Sequence, residues 1–198
     1  MLLEDNVTMV DVEEQGKMYK PCRVELANPD YDWDISWRRV RLKGLGPKMT
    51  SFLFKVVHQL LPTQERIART NPRVSSACKV VGCSGVEIED VTHALISCVG
   101  NDGVGITVLN CVNIHVNGMT DEGAVRLQFN TEDNYEMPVV WVLAVAWSYI
   151  WETRALGKKP ELFNMRAQLE ARVALLRKAR KFHNESEAIT AIIEGLHL

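Results

Sequence analysis

Between Val139 and Trp151 almost every position is apolar, and Trp141, Leu143, Val145, Trp147, Ile150 and Trp151 fall on all faces of a helix. A helix that is apolar all round belongs in the middle of a domain. The pattern therefore predicts a central helix over Val139–Ala155, with Pro138 in its first turn, where proline is tolerated. The apolar stretch from Pro138 to Trp151 is too short for a bilayer span, which takes about 20 residues. Gly157 ends the run and Pro160 restarts the chain. Beyond it, Leu162, Met165, Leu169, Val173 and Leu176 mark the inner face of a helix from Glu161 to about Lys181, and a short helix is expected over Glu185–Glu194.

Upstream, Asp34 is placed to cap a helix from Ile35 to Leu42, with Trp37 and Val40 inward; Gly44, Gly46 and Pro47 break it. A second helix is expected to start at Thr50 or Ser51. Phe52, Val56, Gln59 and Leu60 give it helical spacing, Leu53 and Val57 widen the stripe, and Pro62 stops it. Thr63 suits the N-cap of a third helix over Gln64–Arg69. Val104–Val116 reads as a helix with Val108, Cys111 and Val112 inward, Asp121–Leu127 as a short helix, and 130–136 as an acidic loop. No strand is evident outside the turn around Cys78 and Cys83. The fold class is thus mainly α. Residues 1–20 are acidic, poor in large apolar side chains, and read as a disordered N-terminus.

With 198 residues and 46% hydrophobic composition, the chain can bury a core without disulfides. Five cysteines are an odd number, and none belongs to a dense secretory framework, so a reducing intracellular compartment, nuclear or cytoplasmic, is expected. The net charge of −2 conceals strong segregation. Residues 35–82 carry ten Lys/Arg and one acid, whereas 83–137 carry one Arg and nine acids. A basic block of this kind either meets a polyanion such as RNA or DNA or pairs with the acidic blocks within the fold. Arg38, Arg39, Arg41, Lys43 and Lys48 are the candidate phosphate contacts. Arg177, Lys178, Arg180 and Lys181 form a second basic run that also complements a helix dipole.

One constellation carries specific chemistry. Residues 78–98, CKVVGCSGVEIEDVTHALISC, form a Cys-x4-Cys-x9-His-x4-Cys array. Cys78, Cys83, His93 and Cys98 supply the thiolates and imidazole that Zn2+ prefers, and four protein ligands leave no open position for substrate. Gly82 and Gly85 suit a tight turn around Cys83, and Asp90 is placed to cap a helix carrying His93 toward Cys98. The competing reading has buried free thiols and one surface histidine. Cys111 lies on an apolar face and belongs to the core, and Cys22 reads as a loop thiol. His58 reads as a core or boundary histidine. Trp33 and Trp37 have helix packing as their first reading and base stacking as their second. Asp30, Asp32 and Asp34 read as a solvated segment rather than a cation site.

The run from Trp37 to Pro47, the segment SFLFKVVHQLLPTQER from Ser51, and the cysteine–histidine array together resemble the zinc-binding region that follows the polymerase domain in LINE-type (non-LTR) retrotransposon reverse transcriptases. Phe52, Phe54, Lys55, His58, Leu61, Pro62 and Thr63 match the family's F-x-F/W-K-x-x-H-x-x-L-P-T pattern, and Lys55 joins the candidate nucleic-acid contacts. Residues 138–183 resemble the helical tail of some of these elements, so the resemblance covers about residues 22–195. The family's first pair is usually Cys-x2-Cys; here Val81 stands at that place, and Cys83 is the nearest substitute.

The resemblance implies an irregular helical bundle with an embedded zinc knuckle. A zinc-binding region over 21–136 would be packed by a helical region over 137–198. It implies a module that holds template RNA or target DNA, a separated C-terminal piece of a retrotransposon polymerase complex rather than a catalyst. No Tyr-x-Asp-Asp motif is present, and no lysine follows an acid by two residues as a restriction-type nuclease requires. A structural or protein-interaction module, in which the metal only pins helices, is the alternative.

Overall fold

The computed structural model describes residue 25 and residues 29–83, 85–179 and 182–196, apart from the side chain of Asp133. The chain divides into two compact units, Met1–Tyr31 and Asp32–Leu198. The expectations for residues 1–20 and for Cys22 lie outside the described residues. The hydrophobic core and the cysteine–histidine array both belong to the second unit.

That unit is mainly helical and embeds the Cys78/Cys83/His93/Cys98 cluster. The helices are α1 (Trp33–Val40), α2 (Gly46–Val57), α3 (Gln64–Thr70), α4 (Val104–Asn113), α5 (Asp121–Val125), α6 (Asp133–Ala155), α7 (Leu162–Lys178) and α8 (His183–Glu194). The strands β1 (Val116–Asn117) and β2 (Asn130–Thr131) pair antiparallel. A π-helical turn (His93–Ser97) and a 3-10 turn (Val99–Asn101) lead from the cluster into α4.

Helix α6 is the axle. Every residue from Val139 to Ile150 is buried. Around it pack α1, α2, α4, α7, α8 and the π turn, with the most extensive contact made by α8 through Ile189, Ile192 and Ile193. The all-round hydrophobicity of the sequence is satisfied because partners cover every face. Fully burying one such Leu, Ile or Val side chain contributes about 1.5–3 kcal/mol. On α7, Met165, Leu169 and Val173 are buried, the face read from the pattern. Cys111 is a core residue as expected; its Sγ donates to the Gly195 carbonyl at 3.2 Å, and burial pushes its thiol pKa up. Among the described residues, no helix is long and apolar enough to cross a membrane.

Several element boundaries differ from the expectation. Asp32, not Asp34, caps α1, because Asp32 has the extended backbone a cap needs and its Oδ1 accepts from Ile35 N at 3.2 Å. Helix α2 begins at Gly46–Pro47 rather than at Thr50, since proline fits a first turn as well as it breaks an interior. It ends at Val57, before Pro62, and Gln59 takes a positive φ of 55° just beyond. The acidic stretch 130–136 is not a loop: β2 occupies its start, and α6 begins at Asp133. Pro138 therefore sits inside α6 rather than in its first turn, and as an imide it forgoes the bond to the Asn134 carbonyl and crowds that carbonyl. The boundary expected between 136 and 137 falls within this helix. Thr63 caps α3 as read, its Oγ1 accepting from Arg66 N at 3.4 Å.

Candidate metal centre

Two short segments bring the four ligand residues together. In the first, Ala77 and Ile88 form an antiparallel bridge, Cys78 N donates to the Glu87 carbonyl at 2.8 Å, and Glu89 N donates to the Ser76 carbonyl at 2.9 Å. Between these strands-in-miniature the chain turns back at Cys83, whose N–H donates to the Val80 carbonyl at 3.0 Å. Gly82 and Gly85 on either side have φ of 93° and 68°, which side-chain-bearing residues rarely adopt, so the tight turn read from the sequence is present.

The second segment is the π turn. Asp90 Oδ1 accepts from His93 N at 2.6 Å, as its expected capping role requires. Cys98 N then donates to the His93 carbonyl at 2.9 Å, five residues back. In an α-helix, at 3.6 residues per turn, positions five apart point about 140° away from each other. Closing the ring over five residues widens the turn and brings His93 and Cys98 to one side. The expected helix is thus of a different kind, and that difference makes the ligand pair.

The four ligand atoms lie within 4.8 Å of one another. Cys78 Sγ is 3.7 Å from Cys98 Sγ, and Cys83 Sγ is 3.5 Å from His93 Nε2. Cys78, His93 and Cys98 are buried and Cys83 is half-buried. Among the described residues no cysteine is in a disulfide. The cluster can hold a metal ion. Cys83 rather than Val81 completes it: Val81 is 84% exposed. Burial, as the leading cause, pushes the Cys78 thiol pKa up to about 12, and a metal bound by this sulfur would have to displace its proton.

Four further side chains surround the cluster: Glu87 and Glu89 stand within the array, where their acidity suits the start of the helical turn carrying His93, whereas no local pattern in the sequence marks Asn101 or Arg154. Glu87 Oε2 lies 3.1 Å from His93 Nδ1 and 3.8 Å from Cys83 Sγ. An Nδ1–H donated to Glu87 leaves the Nε2 lone pair facing the cluster. Arg154, in the last turn of α6, places Nη2 3.2 Å from Glu89 Oε2 and 4.0 Å from Cys78 Sγ. Its Nη1 donates to Asn101 Oδ1 at 3.2 Å, and Asn101 Nδ2 donates to the Ala94 carbonyl at 2.9 Å. Burial works against the charge on Arg154, but Cys98, Glu89 and Cys78 outweigh it and hold the pKa above the usual arginine value.

The basic residues fare differently from one another. Arg39 is removed from the candidate contacts: it is 3% exposed, with Nε 3.0 Å from Glu136 Oε1, Nη1 donating to the Leu127 carbonyl at 2.6 Å, and its guanidinium 4.0 Å over the Phe129 ring. Its position on the inner face of α1 required a partner there. Arg38, Arg41, Lys43, Lys48 and Lys55 are exposed. Arg38 pairs with Glu136 at 2.9 Å and Lys48 with Glu152 at 2.7 Å. Arg41 Nε donates to the Trp37 carbonyl of its own helix. Trp33 and Trp37 stack on each other, and Trp37 stacks on the buried His58 at 4.6 Å, so packing accounts for all three rings. The acids at 30, 32 and 34 do not form a cation-binding group; among the described residues the cysteine–histidine set is the one that does.

No protein-family model, no curated protein and no solved structure matches the chain.

Proposed function

We propose that the chain is a non-catalytic, zinc-binding helical module that binds nucleic acid, template RNA or target DNA, and derives from a retrotransposon reverse transcriptase. The observation that carries the zinc reading is the fit of the cluster. Zn–S bonds of about 2.3 Å and Zn–N bonds of about 2.05 Å give tetrahedral edges of about 3.8 Å between sulfurs and about 3.6 Å from sulfur to nitrogen. The Cys78–Cys98 and Cys83–His93 separations are 3.7 and 3.5 Å. Three thiolates and an imidazole are the donor set of structural zinc, and with four protein donors the ion has a bracing role. Native mass spectrometry of protein prepared with zinc should show one zinc ion per chain, and Cys98→Ser should lose it; a fully folded, metal-free protein overturns the assignment.

Nucleic-acid binding rests on a second feature. From Ile35 to Gln64 the chain contains no acidic residue, and five of its cations are exposed: Arg38, Arg41, Lys43, Lys48 and Lys55. Lys48 and Lys55 stand two turns apart on α2, and Arg41 and Lys43 lie in the approach to it. Each phosphate contact releases counterions, so affinity should fall with salt by a log–log slope of about 0.7–0.9 per contact. Fluorescence anisotropy with labelled single-stranded RNA, single-stranded DNA and duplex DNA reads this directly. Replacing Arg41, Lys43 and Lys55 together by Ala should lower the slope by about 2–3. Absence of binding at low salt refutes the reading.

A specific observation favours the alternative, a protein-interaction module. Val81, Val86 and Ile88 on the metal-binding loop are 84%, 82% and 57% exposed, and the latter two flank Glu87 in the acidic part of the sequence, which repels polyanions. Under this alternative the protein should show no salt-dependent nucleic-acid binding, and Val81→Ser with Val86→Ser should abolish association with a protein partner.

A further inference from the structure

We infer that Arg154 is an outer-sphere partner of the metal centre, stabilising its thiolates and fastening the metal-binding loop to the end of the central helix. The inference rests on the zinc reading above and deepens it. Zn2+ with three thiolates and a neutral imidazole carries a net single negative charge. Here that charge would sit among buried groups, with the Glu89 carboxylate beside it. Such an arrangement needs a cation within the low-dielectric region. Arg154 supplies it: its side chain is 6% exposed and its guanidinium reaches Glu89 at 3.2 Å and the Cys78 sulfur at 4.0 Å.

The guanidinium suits the place because its several N–H groups point in different directions within one plane. One edge serves the carboxylate and the sulfur, and Nη1 serves Asn101, which is fully buried and in turn holds the Ala94 carbonyl inside the π turn. One side chain of α6 thus touches the segment before the π turn, the segment after it, and the loop carrying Cys78. Ammonium could supply the charge but not this set of directions. At 4.0 Å the contact with sulfur is chiefly that of charge with charge, so it strengthens as the thiol becomes a metal-bound thiolate. Metal and helix end therefore support each other.

A plain ion pair between Arg154 and Glu89 would stabilise the fold without acting on the metal, and the test separates the two. Zinc affinity is measured by chelator competition, and the thiolate-to-metal charge-transfer band is recorded on the cobalt(II)-substituted protein. Arg154→Met combined with Glu89→Gln removes both buried charges together, so neither is left unpaired. The expected result is zinc binding weakened about ten- to a hundredfold and a charge-transfer band moved to lower energy, because the sulfurs lose a neighbouring positive charge. Glu89→Gln alone should hold or raise affinity. A folded double variant that binds zinc within about twofold of the parent, with its band unmoved, overturns the inference. If the double variant does not fold, Arg154→Lys decides on affinity: it keeps the charge but not the directions that fasten the loop, so weakened zinc binding supports the role and unchanged affinity sinks it. A parent protein that binds neither zinc nor cobalt fails earlier, at the zinc reading, and takes the outer-sphere role with it.

Discussion

Replacing Arg39 by Ala tests whether this arginine is architectural. The residue faces inward from α1 and joins three partners at once: the Glu136 carboxylate, the Leu127 carbonyl and the Phe129 ring. Leu127 is itself unusual, a fully buried side chain on a backbone with φ of 57°, so Arg39 grips a strained turn. Losing the charge-assisted hydrogen bond to a buried carbonyl costs about 1.5–3 kcal/mol. The cation–ring contact adds about 0.5–2 kcal/mol. A fully buried ion pair broken on one side costs about 3–5 kcal/mol, but Glu136 is 21% exposed on its side chain and keeps Arg38 at 2.9 Å, so that contribution shrinks to about 1 kcal/mol. The contributions overlap and do not simply add. A loss of about 3 kcal/mol is expected, which lowers Tm by about 6–12 °C in a domain of this size. Urea unfolding followed by circular dichroism measures it, with Arg41→Ala as an exposed control that changes stability by less than about 0.5 kcal/mol. A loss below about 1 kcal/mol for Arg39→Ala would refute the reasoning. So would a folded Arg39→Ala protein whose nucleic-acid salt slope falls by about one contact, since that would return the residue to the interface.

Gly105→Ala should destabilise by about 1–3 kcal/mol, although alanine is the better helix former by about 1 kcal/mol; its Cβ would stand 2.7 Å from Ile96 Cα and 2.8 Å from the Ile96 carbonyl oxygen, and a neutral result in thermal unfolding would show that α4 can move away from the π turn. The Lys48 hydrogen bond, and then its charge, hold the Glu152 carboxyl below its ordinary pKa of 4.5. Because the folded pKa is the lower one, the stability this pair contributes is fully present above the unfolded value and is lost as pH falls through the folded value; Lys48→Met should move the Glu152 titration upward in NMR, and an unmoved titration would remove Lys48 as the cause. Chelation of the metal should raise amide exchange across residues 77–102 and leave Val139–Ile150 protected, since the central helix is held by apolar packing rather than by the cluster; uniform loss of protection would show that the metal holds the whole unit.

The features legible in the sequence are those that a few neighbouring residues determine. The buried all-round helix could be read because no environment but a core accepts thirteen apolar or near-apolar positions in a row, Val139 to Trp151. The caps at Thr63 and Asp90 could be read because capping needs one side chain and a backbone N–H three residues on. The ligand set could be read because soft donors at turn spacing have few other uses, and the structure brings Cys83 into the place that Val81 leaves empty. Other features depended on distant residues. Nothing around Arg39 indicates that Phe129 and Leu127, some ninety positions away, form its seat. The basic character of 35–82 concealed the difference between that residue and its exposed neighbour Arg41. Arg154 is likewise a lone cation at the end of an apolar helix until Glu89, Asn101 and Cys78 are placed beside it. The short pairing of β1 with β2 escaped notice because two-residue strands show no alternation to detect.

The unbroken burial of α6 also has a consequence for how the protein comes into being. Synthesis runs from α1 toward α8, so α6 is complete while α7 and α8 have yet to emerge. In that interval α2, α4 and the π turn can shelter one side, and the side later covered by Met165, Leu169, Ile189, Ile192 and Ile193 faces water. A nascent chain with such a bare flank attracts others like it. The same property that makes this helix the axle of the finished fold makes it the adhesive of the unfinished one, and the newborn chain's need for a chaperone should peak before α8 arrives.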